Sequence, residues 1–271
     1  MTHHAATEYP RTRLLGVSVD CVSESESVHW ICNRAISGRG GFVITVNLDH
    51  LRRYRLDESY QSLVESADLV VADGMPLVWA SRIRGQPYLP ERVAGSTMCL
   101  QLCEEAANRG IPIFLLGGDP GIAERAAQIL VQQYPELRIS GTYCPPFGFE
   151  RDPASMNRLT DAIAIDPPMI VLVALGSPKQ ERLIGQLREH YQKHCWMGVG
   201  ISLSFIAGDV ARAPVWMQRV GLEWAHRLAQ EPRRLFARYI IYGIPWGFVL
   251  LSSALINRFR ILRPSPDSKE Q

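Results

Sequence analysis

An aspartate stands where a short apolar run ends, in Leu69-Val70-Val71-Ala72-Asp73-Gly74-Met75-Pro76. A run of that kind bounded by turn formers reads as a strand buried in a parallel sheet. An acid just beyond it falls on the rim where open α/β sheets bind ligands. There a carboxylate can take a proton from a substrate hydroxyl within hydrogen-bond reach, which makes Asp73 a candidate general base. An Asp-Gly pair also serves as a plain turn. The neighbours favour chemistry, because Thr45 and Asn47 end the preceding apolar run, Val43-Ile44-Thr45-Val46-Asn47. Consecutive strands of a parallel sheet usually lie side by side, so the three side chains are expected to face one crevice.

Two more turns of this type follow apolar runs. Gly117-Gly118-Asp119-Pro120-Gly121 opens a helix after residues 111–116, and glycines there let backbone N–H groups approach a phosphate at a helix N-terminus. A tight turn with no ligand fits the motif equally well. Gly176-Ser177-Pro178-Lys179-Gln180-Glu181 brings a hydroxyl, a cation and an amide to the rim, all suited to phosphate or sugar. Arg92 lies in a loop before a helix and could pair with a diphosphate, although a surface position is the commoner fate of an arginine. The glycine pattern is not GxGxxG, and residues 137–142 end without the acid that would hold an adenine ribose, so a dinucleotide cofactor is disfavoured. No Asp-x-Asp motif and no metal-ligand spacing of His, Asp or Glu occurs, so the expectation is no metal and no cofactor.

Positioning such residues requires strands that alternate with helices. Strand-like runs occupy residues 14–22, 41–46, 69–72, 111–116, 137–142, 169–175 and 195–199, and helical stretches occupy 49–67, 96–108, 120–134, 153–165 and 178–190. Ser96 reads as an N-cap, Gly110 as a residue just past a helix end, and Pro120 and Pro178 as first-turn prolines. This alternation predicts an α/β fold, a doubly wound and mostly parallel Rossmann-like sheet. After Gly200 the strand signal stops, and helices are expected over 201–207, 214–230, 232–241 and 245–262. The chain therefore divides into a disordered tail at 1–12, an α/β domain at 13–208, a helical appendage at 209–263 and a second disordered tail at 264–271.

With 271 residues, 46% of them hydrophobic, the chain can bury a large core. Six cysteines without a CxxC pair read as reduced thiols, and the N-terminal residues do not resemble a secretory signal, which suits a cytoplasmic protein. The formal net charge of +2 conceals an asymmetry. Residues 212–263 hold nine arginines against Glu223 and Glu231, whereas residues 1–211 hold 19 Lys or Arg against 23 Asp or Glu. A basic end on a mildly acidic body suggests an anionic partner for that end. Residues 240–256 are apolar but interrupted by Gly243, Pro245, Gly247, Ser252 and Ser253, which is marginal for a span needing about 20 residues. With Trp246, Phe248, Arg258, Arg260 and Arg263 around it, the segment fits a helix lying in the membrane interface; a core helix is the rival.

Taken together and in order, these motifs resemble the WecG/TagA/CpsF glycosyltransferase family over residues 14–242. The carriers are Thr45-Val46-Asn47, Ala72-Asp73-Gly74-Met75-Pro76-Leu77-Val78-Trp79, Glu91-Arg92-Val93-Ala94-Gly95-Ser96, Leu116-Gly117-Gly118, Gly176-Ser177-Pro178-Lys179-Gln180-Glu181, Gly198-Val199-Gly200, Arg212-Ala213-Pro214 and Gly221-Leu222-Glu223-Trp224. The resemblance implies an inverting, metal-independent enzyme that moves a sugar from a UDP-sugar to a polyprenyl-diphosphate-linked saccharide at the inner membrane face. It implies Asp73 as base, Thr45, Asn47, Arg92, Gln180 and Glu181 at the substrate, and Gly117, Gly118 and Ser177 near the nucleotide. Arg227, Arg234 and Arg238 are implied to close the site over the diphosphate. Three positions depart from the family pattern: Leu48 stands where proline is common, and Thr97 and Ser204 where aspartate is frequent. A noncatalytic nucleotide-sugar binder and a nicotinamide-dependent oxidoreductase are the alternatives. Nucleic acid is not an expected partner, and homo-oligomerisation is left open.

Overall fold

The computed structural model describes residues 9–164 and 169–262, and side chains as far as residue 259. Residues 1–8 of the first expected tail, the whole of the second at 264–271, and Arg263 at the end of the expected appendage lie outside the described residues. The chain opens with a hairpin of β1 (Arg11–Leu14) and β2 (Val17–Asp20), followed by α1 (Glu24–Ile36), β3 (Gly41–Val46), α2 (Leu48–Leu56), α3 (Glu58–Glu65), β4 (Leu69–Ala72), α4 (Met75–Arg84) and α5 (Gly95–Arg109). Then come β5 (Ile113–Gly117), α6 (Ile122–Gln133), β6 (Ile139–Tyr143), α7 (Pro153–Ile163), β7 (Ile170–Ala174), α8 (Lys179–Leu187), β8 (Cys195–Gly198) and α9 (Ser202–Ile206). The C-terminal part holds α10 (Val215–Arg219), α11 (Glu223–Gln230), α12 (Pro232–Phe236), a π-helical stretch (Ala237–Gly243) and α13 (Ile244–Leu262).

Strands β3 to β8 form one parallel sheet in the order β4-β3-β8-β7-β5-β6, the expected α/β Rossmann-like architecture. Period-two alternation sends successive side chains to opposite faces. Ile44, Val46, Val171 and Val173 therefore enter one core, and Val43, Ile170 and Leu172 the other. Both faces are covered by helices, which is why these strands are apolar throughout rather than alternating.

Four expectations are corrected by the structure. The run over 14–22 is not a strand of the main sheet; it belongs to the β1–β2 hairpin, which turns at Leu15-Gly16 and already includes Arg11 and Thr12. The helix expected over 49–67 breaks at Asp57, whose side chain accepts from Tyr60 N and starts α3 anew. Ser96 is not a cap: α5 begins at Gly95 after Ala94, with no side-chain cap hydrogen bond. Pro178 takes the N-cap position of α8, and α6 starts at Ile122, two residues beyond Pro120. Gly110 does end α5 in the left-handed conformation.

Candidate active site

All six strands of the sheet end on one cavity of about 1390 Å³. Its first wall is the β3–β4 edge. Asp73 N donates to Val46 O at 2.8 Å and Val93 N donates to Ala72 O at 2.8 Å, so the ladder continues past the strands and stitches the Arg92 loop beside Asp73. Thr45, Asn47, Asp73 and Arg92 all line the cavity, as the sequence led us to expect. Burial pushes the Asp73 carboxyl above the usual range. Arg92 pulls it back, and Glu223 adds to the upward push. A half-buried carboxylate with strengthened basicity at the mouth of a crevice is equipped to accept a hydroxyl proton.

The second wall is the end of β5, β6 and β7. Gly117 has φ 99°, and a Cβ there would come within 2.7 Å of Ala174 O, so only glycine permits the turn. Gly118 N donates to Ala174 O at 2.8 Å, and Gly118 itself lines the cavity. Ser177 and Gln180 line it too, with Ser177 Oγ 3.4 Å from Tyr60 Oη. Gly117 lies a step behind the lining, inside β5. Glu181 is buried behind Gln180, whose Nε2 donates to Glu181 Oε1 at 2.8 Å, so Glu181 supports the wall rather than forming it.

The appendage supplies the roof. Arg227, Arg234 and Arg238 line the cavity, as does Tyr239, whose ring meets Trp224 edge-on at 6.1 Å. Each arginine is held by a carboxylate: Arg227 by Glu231 at 2.5 Å, Arg234 by the same Glu231, and Arg238 by Asp49 of α2 at 3.7 Å. Arg227 is buried over the Phe205 ring, and its NH1 has no hydrogen-bond partner among the described residues. Roof and body meet through Glu223, which takes Arg92 at 3.3 Å with one oxygen and Arg212 at 3.3 Å with the other. Arg212 in turn donates to Thr97 Oγ1 at 2.7 Å, a use for the threonine that stands where aspartate is frequent. Ser204 lines the cavity and is nearly buried.

Beyond the roof, α13 packs against α4 through its buried Leu250 and Ala254. Its other face exposes Phe248 (68%), Ile256 (55%) and Phe259 (59%). Pro232–Phe259 is long and apolar enough to cross a membrane, with mean hydropathy 1.7 and 11% of the most apolar window buried. At about 1.5 Å per residue, α13 alone spans about 28 Å.

Five contributors, three of them inside motifs already quoted, had no role assigned from the sequence. His50 is buried with its Nδ1 2.8 Å from Asn47 Oδ1, and the signal for it was the cap spacing, which places residue i+3 over an Asn N-cap. Glu223 and Arg212 stood in quoted motifs, but their partners are far apart in sequence. Trp79 and Phe147 line the cavity from α4 and from the β6 rim loop, and nothing in their spacing marks them. Among the described residues no group of three or more His, Cys, Asp or Glu side chains is arranged to hold a metal ion; the cations lining the cavity include Arg52, Arg92, Arg227, Arg234, Arg238 and Lys179. Compared with known proteins, residues 12–260 match the model of the glycosyl transferase WecG/TagA/CpsF family.

Proposed function

The chain belongs to the WecG/TagA/CpsF glycosyltransferase family, and from that premise we propose that it transfers a sugar from a UDP-sugar to a polyprenyl-diphosphate-linked saccharide with inversion, Asp73 acting as base. The observation that carries this reading is the pairing of a burial-strengthened carboxylate on the β4 rim with three arginines over the same cavity. Asp73 takes the proton as the acceptor oxygen bonds to the anomeric carbon. The bond from that carbon to the diphosphate breaks on the opposite face, and UDP leaves with the electron pair. Thr45, Asn47 and Gln180 hold sugar hydroxyls. Arg92 and the roof arginines Arg227, Arg234 and Arg238 neutralise diphosphate charge, for which arginine is well shaped. Gly118 and Ser177 approach the nucleotide from the second wall, with the Gly117 turn behind them.

A panel of UDP-sugars offered with a polyprenyl-diphosphate acceptor, products identified by mass, tests this reading. Turnover with one donor and an inverted anomeric product support it; no turnover with any donor, or retention of configuration, overturns it. An Asp73→Asn enzyme that binds UDP yet transfers nothing separates catalysis from mere nucleotide-sugar binding.

The exposed face of α13 lies on the cytoplasmic surface of the membrane in this reading, with Arg258 near its end at the headgroups. Co-sedimentation with anionic liposomes checks it. The native chain should pellet, and a variant carrying Phe248→Glu and Ile256→Glu should stay in solution; equal pelleting of both contradicts the docking.

A further inference from the structure

Asn47 and Gln180 come from different walls of the cavity, yet a buried chain of hydrogen bonds, closed by a 3.5 Å contact between His50 and Glu181, joins them. Asn47 Oδ1 accepts from Asp49 N at 3.0 Å and from His50 N at 3.4 Å, and it also faces His50 Nδ1 at 2.8 Å. Two backbone donors assign that atom as the amide oxygen, so the ring nitrogen facing it carries a proton. The other ring nitrogen, Nε2, is 3.5 Å from Glu181 Oε1. The same Glu181 oxygen accepts from Gln180 Nε2, and Gln180 Oε1 accepts from Gly200 N at 3.0 Å. Gly198 is required beside this chain, because a Cβ there would strike Gln180 Nε2.

The protonation states follow from this geometry. With Nδ1 already donating, a neutral ring would turn its Nε2 lone pair toward the carboxylate, whereas a doubly protonated ring meets both acceptors. His50 and Glu181 side chains are only 5% and 3% exposed, so each has little access to water in place of its partner. Burial alone would raise the Glu181 carboxyl; the hydrogen bonds and charge of His50, with the Gln180 amide, override it and hold Glu181 below the usual range. Other groups near the ring are Asp49 on the same helix, Asp73 at the end of β4, and Tyr60 of α3, tilted against it at 6.2 Å. Asp49 is itself paired with Arg52, Arg53 and Arg238, and Asp73 is drawn to Arg92, so the carboxylate that faces the ring directly is Glu181.

We infer that His50 and Glu181 are a buried imidazolium–carboxylate pair whose task is to position the Asn47 and Gln180 amides for the sugar substrate, touching no substrate themselves. The pair ties up Asn47 Oδ1 and so turns the Asn47 NH2 toward the cavity, while Glu181 and Gly200 fix the plane of the Gln180 amide. The positioning role rests on the sugar-transfer reading of the cavity; the protonation state does not.

Nitrogen-15 NMR of the full chain labelled at histidine reads the pair directly. At about pH 7 both His50 ring nitrogens should be protonated, unlike a solvent-exposed histidine; a neutral His50 ring overturns the inference whatever the enzyme turns over. Glu181→Gln then tests the positioning role. The expected result is a His50 ring that deprotonates at lower pH and a KM for the sugar donor or acceptor raised by about tenfold, with kcat within about threefold, the loss expected for misplacing hydrogen bonds. Unchanged KM values for both substrates in a folded Glu181→Gln enzyme contradict it. If the native chain turns over no donor, the sugar-transfer reading fails and the positioning role fails with it, while the NMR result still decides the charged pair.

Discussion

The body and the roof of this enzyme hold their functional charges by different means. Asp73 is fixed by backbone: its own N–H extends the β3–β4 ladder, and the strands behind it are buried on both faces. The roof arginines are fixed by exchangeable ion pairs with Glu231 and Asp49, on short helices where Arg227 and Leu235 are the buried residues of α11 and α12. A base must not wander relative to the hydroxyl it serves, whereas charges that admit and release a diphosphate need partners they can leave. In the proposed reaction the contrast puts rigidity where the proton would move and replaceable pairing where the diphosphate would enter.

Replacing Asp73 by Asn strikes the rigid region, and kcat/KM should fall by about 10³-fold, within the range for losing a general base, while UDP affinity measured calorimetrically stays unchanged. Removing Arg227 or Arg238 strikes the exchangeable region. Each alanine variant should lose about tenfold to a hundredfold in kcat/KM, the scale of a charge-assisted hydrogen bond, with more salt sensitivity in the native enzyme than in the variants. Stability divides the regions in the same sense. Leu172→Ala in β7, fully buried, should cost about 2–5 kcal/mol by denaturant unfolding, whereas Leu255→Ala on the exposed face of α13 should change it by about 0.5 kcal/mol or less.

A pH-dependent effect lies where body and roof meet. The Glu24 carboxyl is pushed up to about 6, chiefly by burial and then by Glu91, with Arg92 and Arg212 pulling the other way. A folded-state value above the unfolded one means that ionising Glu24 weakens the fold as pH rises through about 6. Glu24→Gln should therefore stabilise the protein by about 1 kcal/mol near pH 8, after discounting for partial exposure, and the gain should vanish below about pH 4.5. A gain of equal size at both pH values would point to a cause other than this carboxyl.

Much of the body was legible in the sequence because buried parallel strands are short apolar runs closed by turn residues; β3 and β4 fall on residues 41–46 and 69–72 as read. The run over 14–22 misled for the same reason, since period and composition do not tell a hairpin strand from a sheet strand. Helix α4 went unread because its start, Gly74, offers no side-chain cap, and α5 was given a cap at Ser96 that the backbone does not use. In the site, Thr45, Asn47 and Asp73 were visible as strand-end residues, and their shared cavity follows from strand adjacency, whereas Arg92 was visible only as a loop arginine before a helix. Glu223 bridges Arg92, 131 residues away, and His50 of α2 meets Glu181 of α8. Contacts at such separations leave no local period in the sequence, so only the fold reveals them.

The central claim is that Asp73, its basicity raised by burial, removes the acceptor proton. The dependence of kcat/KM on pH, recorded for the native enzyme and for the residual activity of Asp73→Asn, tests it most directly. Activity should rise with pH along a single acidic limb whose midpoint lies above the ordinary carboxylate range, and that limb should be missing from the variant. The same limb at the same midpoint in Asp73→Asn would show that another group is the base.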